Sequence, residues 1–311
     1  MDKELRAIVT GCTGAVGMAL LKILSDRNIE VLAICRRASI RSENIKENDL
    51  IKKIYCSLDE LKSLKIEERY DLFFHLAWSG TTGSGREDAY LQLKNIEYTL
   101  DAVELAARTG CSCFVGAGSQ AEYGRAECKL NSNTPTFPEN QYGIAKLCAG
   151  QMSRELCHTF GMRHNWVRIL SVYGPYDTSS SMVMSTIAAL KEGTIPRFTK
   201  GEQIWDYIYS EDAARGLLAV AEEGKDGCVY CLGSGEERRL CDYIEKIRNA
   251  VSPHSPISIG ELLYSPKQIT YLSADMSELE RDTGFCARVG FDEGIAKTVE
   301  WYDLTYSNFR S

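Results

Sequence analysis

The chain has 311 residues, 44% hydrophobic and 25% charged, with a net charge of -7. That composition suits a globular protein with one large core or two joined lobes, and it leaves no basic footprint for nucleic acid. No stretch approaches the roughly 20 apolar residues that a membrane span needs. The first residues run straight into a strand-like segment without an apolar leader, which predicts a cytoplasmic protein. Twelve cysteines are scattered through apolar segments and read as reduced, buried thiols. The single CxxC, Cys228-Val229-Tyr230-Cys231, has no second pair or histidines beside it, so no metal site is expected.

In chain order, Arg6–Thr10 is a short strand ending in Gly11-Cys12-Thr13-Gly14-Ala15-Val16-Gly17, and an amphipathic helix follows. A strand, a glycine-rich turn and a helix make a dinucleotide-binding fingerprint, in which the helix N-terminus faces a pyrophosphate. The next strand, Glu30–Cys35, ends in Arg36-Arg37. An acid at this junction would hold the ribose of NAD, whereas arginine suits the 2′-phosphate of NADP. The expected cofactor is therefore NADP(H), with NAD(H) as the alternative. Leu50–Cys56 reads as a strand, Leu58–Ile66 as a short helix, 70–77 as a strand, 88–108 as a long helix and Cys113–Gly116 as a strand. This alternation predicts an α/β, Rossmann-type, doubly wound parallel sheet.

Ser119 lies just past the end of that last strand, where open parallel sheets collect ligands. Tyr142 and Lys146 then stand four apart on the next helix, on one face. An ammonium near a phenol favours the phenolate, so the pair is a candidate proton-transfer device. A strand at Arg163–Ile169 and helices at Met182–Leu190, 211–222, Leu240–Ala250 and Phe291–Leu304 complete the pattern.

The succession GxxGxxG, His75-Leu76-Ala77, a serine loop ending Ala121-Glu122-Tyr123-Gly124, Tyr142-x-x-x-Lys146, then Val167-Arg168 and Val172-Tyr173-Gly174-Pro175 resembles the extended short-chain dehydrogenase/reductase superfamily. More closely it is similar to the NAD(P)-dependent epimerase/dehydratase family, which acts on nucleotide-sugars. The resemblance implies that Gly11, Gly14 and Gly17 line the pyrophosphate, and that Thr13, Ala15, Val16, Arg36 and Arg37 belong to the same cofactor site. Leu76 and Ala77 would flank the nicotinamide half, with Asn95 behind them. Ser119, Tyr142 and Lys146 would be the catalytic triad, Lys146 also holding the nicotinamide ribose and lowering the tyrosine pKa. Trp78, Ser119, Gln120, Arg168 and Trp205 are the candidate substrate contacts. Residues 1–172, with 207–233 returning, would form the dinucleotide-binding domain. Residues 173–206 and 234–311 would form a smaller, interleaved substrate lobe. Trp205 stands where relatives usually carry arginine, and Ser171 and Cys231 where they carry asparagine.

Gln120-Ala121 replace the Asp-Glu pair of the 4,6-dehydratases, and Arg36-Arg37 replace the acid of NAD-retaining 4-epimerases. The loop Gly118-Ser119-Gln120-Ala121-Glu122-Tyr123-Gly124 and His75-Leu76-Ala77-Trp78 resemble those of reductases of 4-keto-6-deoxy nucleotide-sugars, which implies NADPH-dependent reduction of such a sugar with Tyr142 as general acid/base. An NAD-dependent nucleotide-sugar 4-epimerase is the alternative, and an NADP-sensing regulator is the non-enzyme one. Relatives pair their long helices into a homodimer, which is the partner expected here.

Overall fold

Short runs of β-branched, aromatic and small residues that are buried on both faces form the central sheet, as expected of strands covered by helices on each side. The structure, a computed structural model, describes residues 5–37 and 39–306. In chain order the first half comprises β1 (Arg6–Thr10), α1 (Ala15–Asp26), β2 (Glu30–Cys35), β3 (Ile51–Tyr55), β4 (Leu72–His75), α2 (Ala89–Arg108), β5 (Cys113–Ser119) and α3 (Gln141–Thr159). Then come β6 (Arg163–Ile169), β7 (Ser171–Tyr173), α4 (Met182–Lys191), β8 (Arg197–Phe198), β9 (Ile204–Trp205), β10 (Tyr207–Tyr209) and α5 (Ser210–Glu223). The last part holds β11 (Val229–Leu232), β12 (Arg238–Arg239), α6 (Leu240–Val251), β13 (Ser258–Ile259), α7 (Ser277–Thr283) and α8 (Phe291–Tyr306).

Seven strands pair in parallel in the order β11-β6-β5-β4-β1-β2-β3. The order reverses between β1 and β4, and that is where ligands of open α/β sheets bind, beyond the carboxyl ends of the strands. One face of the sheet packs on α1 and α5 through Leu20, Leu24, Leu217 and Val220. The other packs on α2 and α3 through Ala102, Val103, Ala106 and Cys157. A further core joins α4, α6 and α8 around Tyr173, Tyr243 and Phe291, whose rings meet at 4.5–4.8 Å.

Several element limits differ from the sequence pattern. The helix expected at 58–66 is only a 3-10 turn, Leu58–Glu60, closed by a capping box between Ser57 and Glu60. Leu61 is the one residue of that stretch in the fully buried core, too little to fix a longer helix. β4 stops at His75, so Leu76 and Ala77 lie beyond it. β5 runs on to Ser119, which is therefore the strand's last residue. Gly116 and Gly118 allow this extension, because a Cβ at either would collide with the Trp166 ring. The short helix α7 had no apolar periodicity to announce it; Leu279 is its only buried residue. No helix among the described residues is long and apolar enough to cross a membrane.

Candidate active site

The glycine turn is built by packing. Gly11 has φ +72°, and a Cβ there would lie 2.5 Å from the Ala77 backbone nitrogen. At Gly17 it would collide with Gly11 and Cys12. Gly14 differs: a Cβ there would make only an ordinary contact, 3.8 Å from Gly11 O, so packing does not close it in. Gly14 caps α1 without a side-chain hydrogen bond, and no acid occupies the first turn. Free amides at a helix N-terminus fit a phosphate, so the turn passes the test for a dinucleotide.

That turn walls a cleft of about 260 Å³ lined by Gly11, Thr13, Gly14, Leu76, Ala77 and Trp78. Arg36, Ser39 and Arg41 line it as well. Arg37 is exposed and does not line it, whereas Arg41, which the sequence pattern did not single out, does. Ala15 opens α1, Val16 packs on the core beneath and Gly17 is buried under the loop.

Asn140 fixes the start of α3 by accepting the Gly143 N–H at 2.8 Å. This puts Tyr142 in the first turn, against the end of β5. Ser119, the last residue of β5, lies near enough to the Tyr142 phenol to act on it, so the two residues predicted apart in sequence meet. Burial pushes the Tyr142 phenol up from its ordinary value, while Ser119 and then Arg86 pull it down. Burial takes the Lys146 amine down to about 7. Its Nζ donates to Ala117 O at 2.6 Å and sits 3.8 Å from the Trp78 ring centre, but 5.9 Å from that of Tyr142.

Three residues that the sequence did not mark shape this region. The Arg86 guanidinium lies 4.2 Å from the centre of the Tyr142 ring and donates to Thr81 O. Gln92, almost wholly buried on α2, accepts the Trp78 indole N–H at 2.8 Å. It donates to Gly80 O and Gly85 O, at 3.0 and 2.8 Å. Asn95, placed behind the cofactor by resemblance, clamps the backbone of Ser79 from both sides at 2.9 Å. Together they hold the segment 78–86 so that Trp78 covers Lys146 and Arg86 covers Tyr142. The only available signal was the presence of polar residues on an apolar helix face.

Glu122 is the third. It is fully buried, accepts the Ser119 N–H at 2.8 Å and the Trp166 indole at 2.9 Å, and pairs with Arg168 at 2.6 Å. Arg168 is therefore not brought to the cleft: its guanidinium is held beneath Ser119 and stacked 4.5 Å from the Tyr123 ring. Trp205 is likewise engaged, its indole donating to Ser171 Oγ at 2.8 Å. Gln120 lines a separate cavity of about 180 Å³ with Arg86, Ala121 and Asn140, and its Oε1 is buried without a partner. His75 lies below in the core between Thr10 and Thr99, burial holding it down at about 3. No group of three or more potential metal ligands occurs among the described residues.

The sequence model of the NAD dependent epimerase/dehydratase family matches residues 7–233. The chain is 24% identical to a probable dTDP-glucose 4,6-dehydratase of Sinorhizobium fredii (strain NBRC 101917 / NGR234), over 96% of this chain and 93% of that protein. It is 31% identical to the dTDP-glucose 4,6-dehydratase of Shigella flexneri, over 56% of this chain and half of that protein. Among solved structures it resembles a UDP-N-acetylglucosamine 4-epimerase from Methanobrevibacter ruminantium M1. The TM-score is 0.87 at 23% identity, with 97% of this chain and 99% of that one covered. An enzyme of the extended short-chain dehydrogenase/reductase type, the chain belongs to the NAD dependent epimerase/dehydratase family.

Proposed function

We propose that the protein reduces a nucleotide-linked 4-ketosugar, most closely a 4-keto-6-deoxy sugar, with NADP(H) as cosubstrate. The observation that carries this reading is that Tyr142, with Ser119 acting on its phenol, packs against Trp78 of the cleft wall. A bound nicotinamide dinucleotide would supply the hydride. Gly11, Thr13, Gly14, Leu76 and Ala77 would bind it, and Arg36 would meet the ribose phosphate. Ser119 would orient the sugar oxygen, and Tyr142 Oη would give that oxygen its proton. Positioned acid catalysis of this kind contributes about 10²–10⁴-fold. Lys146 would hold the nicotinamide ribose. Arg86 would favour the phenolate that Tyr142 becomes, the part that the sequence pattern gives to lysine. Trp78 and Gln120 would touch the sugar.

Two features separate this reading from dehydration. Gln120 and Ala121 bring no carboxyl to the site, and the nearby Glu122 is consumed by its pairing with Arg168. We assign residues 173–206 and 234–311 to the substrate lobe. A homodimer through α2 and α3 is supported by Tyr90, Leu93, Ile144 and Met152, large apolar side chains left exposed on those helices.

The second reading, a 4-epimerase that retains NAD, is favoured by the fold likeness to the UDP-N-acetylglucosamine 4-epimerase. Cofactor behaviour decides between them. Purified protein that binds NADPH in preference to NADH, and consumes it on addition of a 4-keto-6-deoxy nucleotide-sugar, supports the reductase. Stoichiometric NAD carried through purification, with no NADPH binding, overturns it.

A further inference from the structure

Two cysteines that take no part in the proposed chemistry lie together in the cofactor cleft. Cys12 follows Gly11 in the glycine turn, and Cys35 is the last residue of β2. β1 and β2 are neighbouring parallel strands with Thr10 opposite Ile34, so Cys12, two residues past β1, and Cys35, closing β2, lie at the same end of the sheet. Their sulfurs are 3.3 Å apart, and both residues line the cleft.

We propose that Cys12 and Cys35 are a modification site that closes to a disulfide when a peroxide enters the open cleft, and that this closure weakens dinucleotide binding. The second half rests on the cofactor reading above.

The chemistry divides between the two sulfurs. The Cys12 thiol hydrogen-bonds Cys35 and, with Lys53 adding its charge, holds the Cys35 thiol below its ordinary value. Cys12 itself is pushed up by the same bond and by burial. Thiolate character makes a cysteine reactive where a reagent can reach it; Cys12 and Cys35 are 0% and 2% exposed and burial opposes the lowering at Cys35, so the peroxide has to reach them through the cleft that they line. The Cys35 thiolate attacks one peroxide oxygen, the O–O bond breaks and, with a proton, the other oxygen leaves as water or an alcohol. Cys12 then attacks the resulting sulfenic sulfur. The S–S bond forms, the S–O bond breaks, and the hydroxyl leaves with the Cys12 proton as water. Two electrons pass from the thiols to the peroxide, and a dithiol reverses the change.

Closure needs the sulfurs to approach from 3.3 Å to about 2.05 Å. The Cys12 backbone is wedged against Gly17, where even a Cβ finds no room. Because α1 blocks that side, the shift falls on the turn at 12–14 or on the end of β2 at Cys35 and Arg36. Both are walls of the cleft. A bound dinucleotide would cover the pair and slow the reaction.

The test treats the reduced full-length protein with hydrogen peroxide, with and without NADPH, and maps disulfides by non-reducing peptide mass spectrometry. NADPH affinity is measured before and after. The expected result is a Cys12–Cys35 linked peptide, two of the twelve thiols lost, NADPH affinity weakened by about tenfold or more, and recovery with dithiothreitol. Cys12→Ala and Cys35→Ala, each compared with its own untreated form, should lose the response; using both guards against one failing to fold. Cross-links elsewhere only, over-oxidation of Cys35 without a cross-link, or a cross-link that leaves NADPH affinity unchanged would overturn the proposal. Reduced protein that binds no dinucleotide would instead sink the cofactor reading, while the peptide map still decides the bond.

Discussion

The Trp205 indole donates a 2.8 Å hydrogen bond to the Ser171 hydroxyl. In the sequence these were two separate departures from the family pattern; in the fold they satisfy each other. Ser171→Ala removes the acceptor from a half-buried N–H, which lowers stability by about 1 kcal/mol. Chemical denaturation of Ser171→Ala, Trp205→Phe and the double variant should give non-additive losses, since both single changes break one bond. Strict additivity would show that the pair is not coupled.

Glu122 and Arg168 form a buried ion pair beneath Ser119, with both side chains almost inaccessible. Removing one partner strands the other charge in the core. Glu122→Gln should therefore destabilise the protein by about 3–5 kcal/mol, and Arg168→Met added to it should recover part of the loss. Thermal denaturation of the single and double variants checks this, and a double variant no more stable than the single would contradict it.

Burial sets a pH dependence on Lys146, held at about 7 against an ordinary 10.5. Between those values the unfolded chain binds a proton that the folded one does not, so this group makes stability rise with pH across that window. Below it both states are protonated and the full burial penalty remains. Lys146→Met, which carries no charge, should gain most on the wild type near pH 6.5. Its lead should shrink toward pH 10, measured as denaturation midpoints. A pH-independent difference would place the amine in a better solvated site.

Arg86 stands over the Tyr142 ring at 4.2 Å, from a segment held by Gln92 and Asn95. Cation–π contacts of this type are worth about 0.5–2 kcal/mol. Arg86→Met should lower kcat about 2- to 30-fold, with Arg86→Lys intermediate, and should leave NADPH affinity unchanged because Arg86 does not line the cofactor cleft. Loss of NADPH affinity alone would assign Arg86 a different task.

Residues whose placement follows from local backbone rules were legible in the sequence. The glycine turn, the strand alternation and the i,i+4 spacing of Tyr142 and Lys146 each encode their own geometry, and the fold honours them. Residues whose placement depends on long-range packing were not. Arg86 reaches Tyr142 from a loop, and nothing within residues 78–86 says where that loop is tied; Gln92 and Asn95 do that from α2. Arg168 was a candidate substrate contact through the family resemblance, but Glu122, 46 residues away, takes its charge. The placing of the Lys146 amine is a long-range matter too: Ala117 O and the Trp78 ring hold it 5.9 Å from the centre of the Tyr142 ring.

The most direct test of the central claim is NADPH consumption with a 4-keto-6-deoxy nucleotide-sugar by wild type and Tyr142→Phe, at equal cofactor saturation. Loss of the phenol should lower kcat by about 10²–10⁴-fold while NADPH still binds. Turnover by Tyr142→Phe at the wild-type rate would contradict the account.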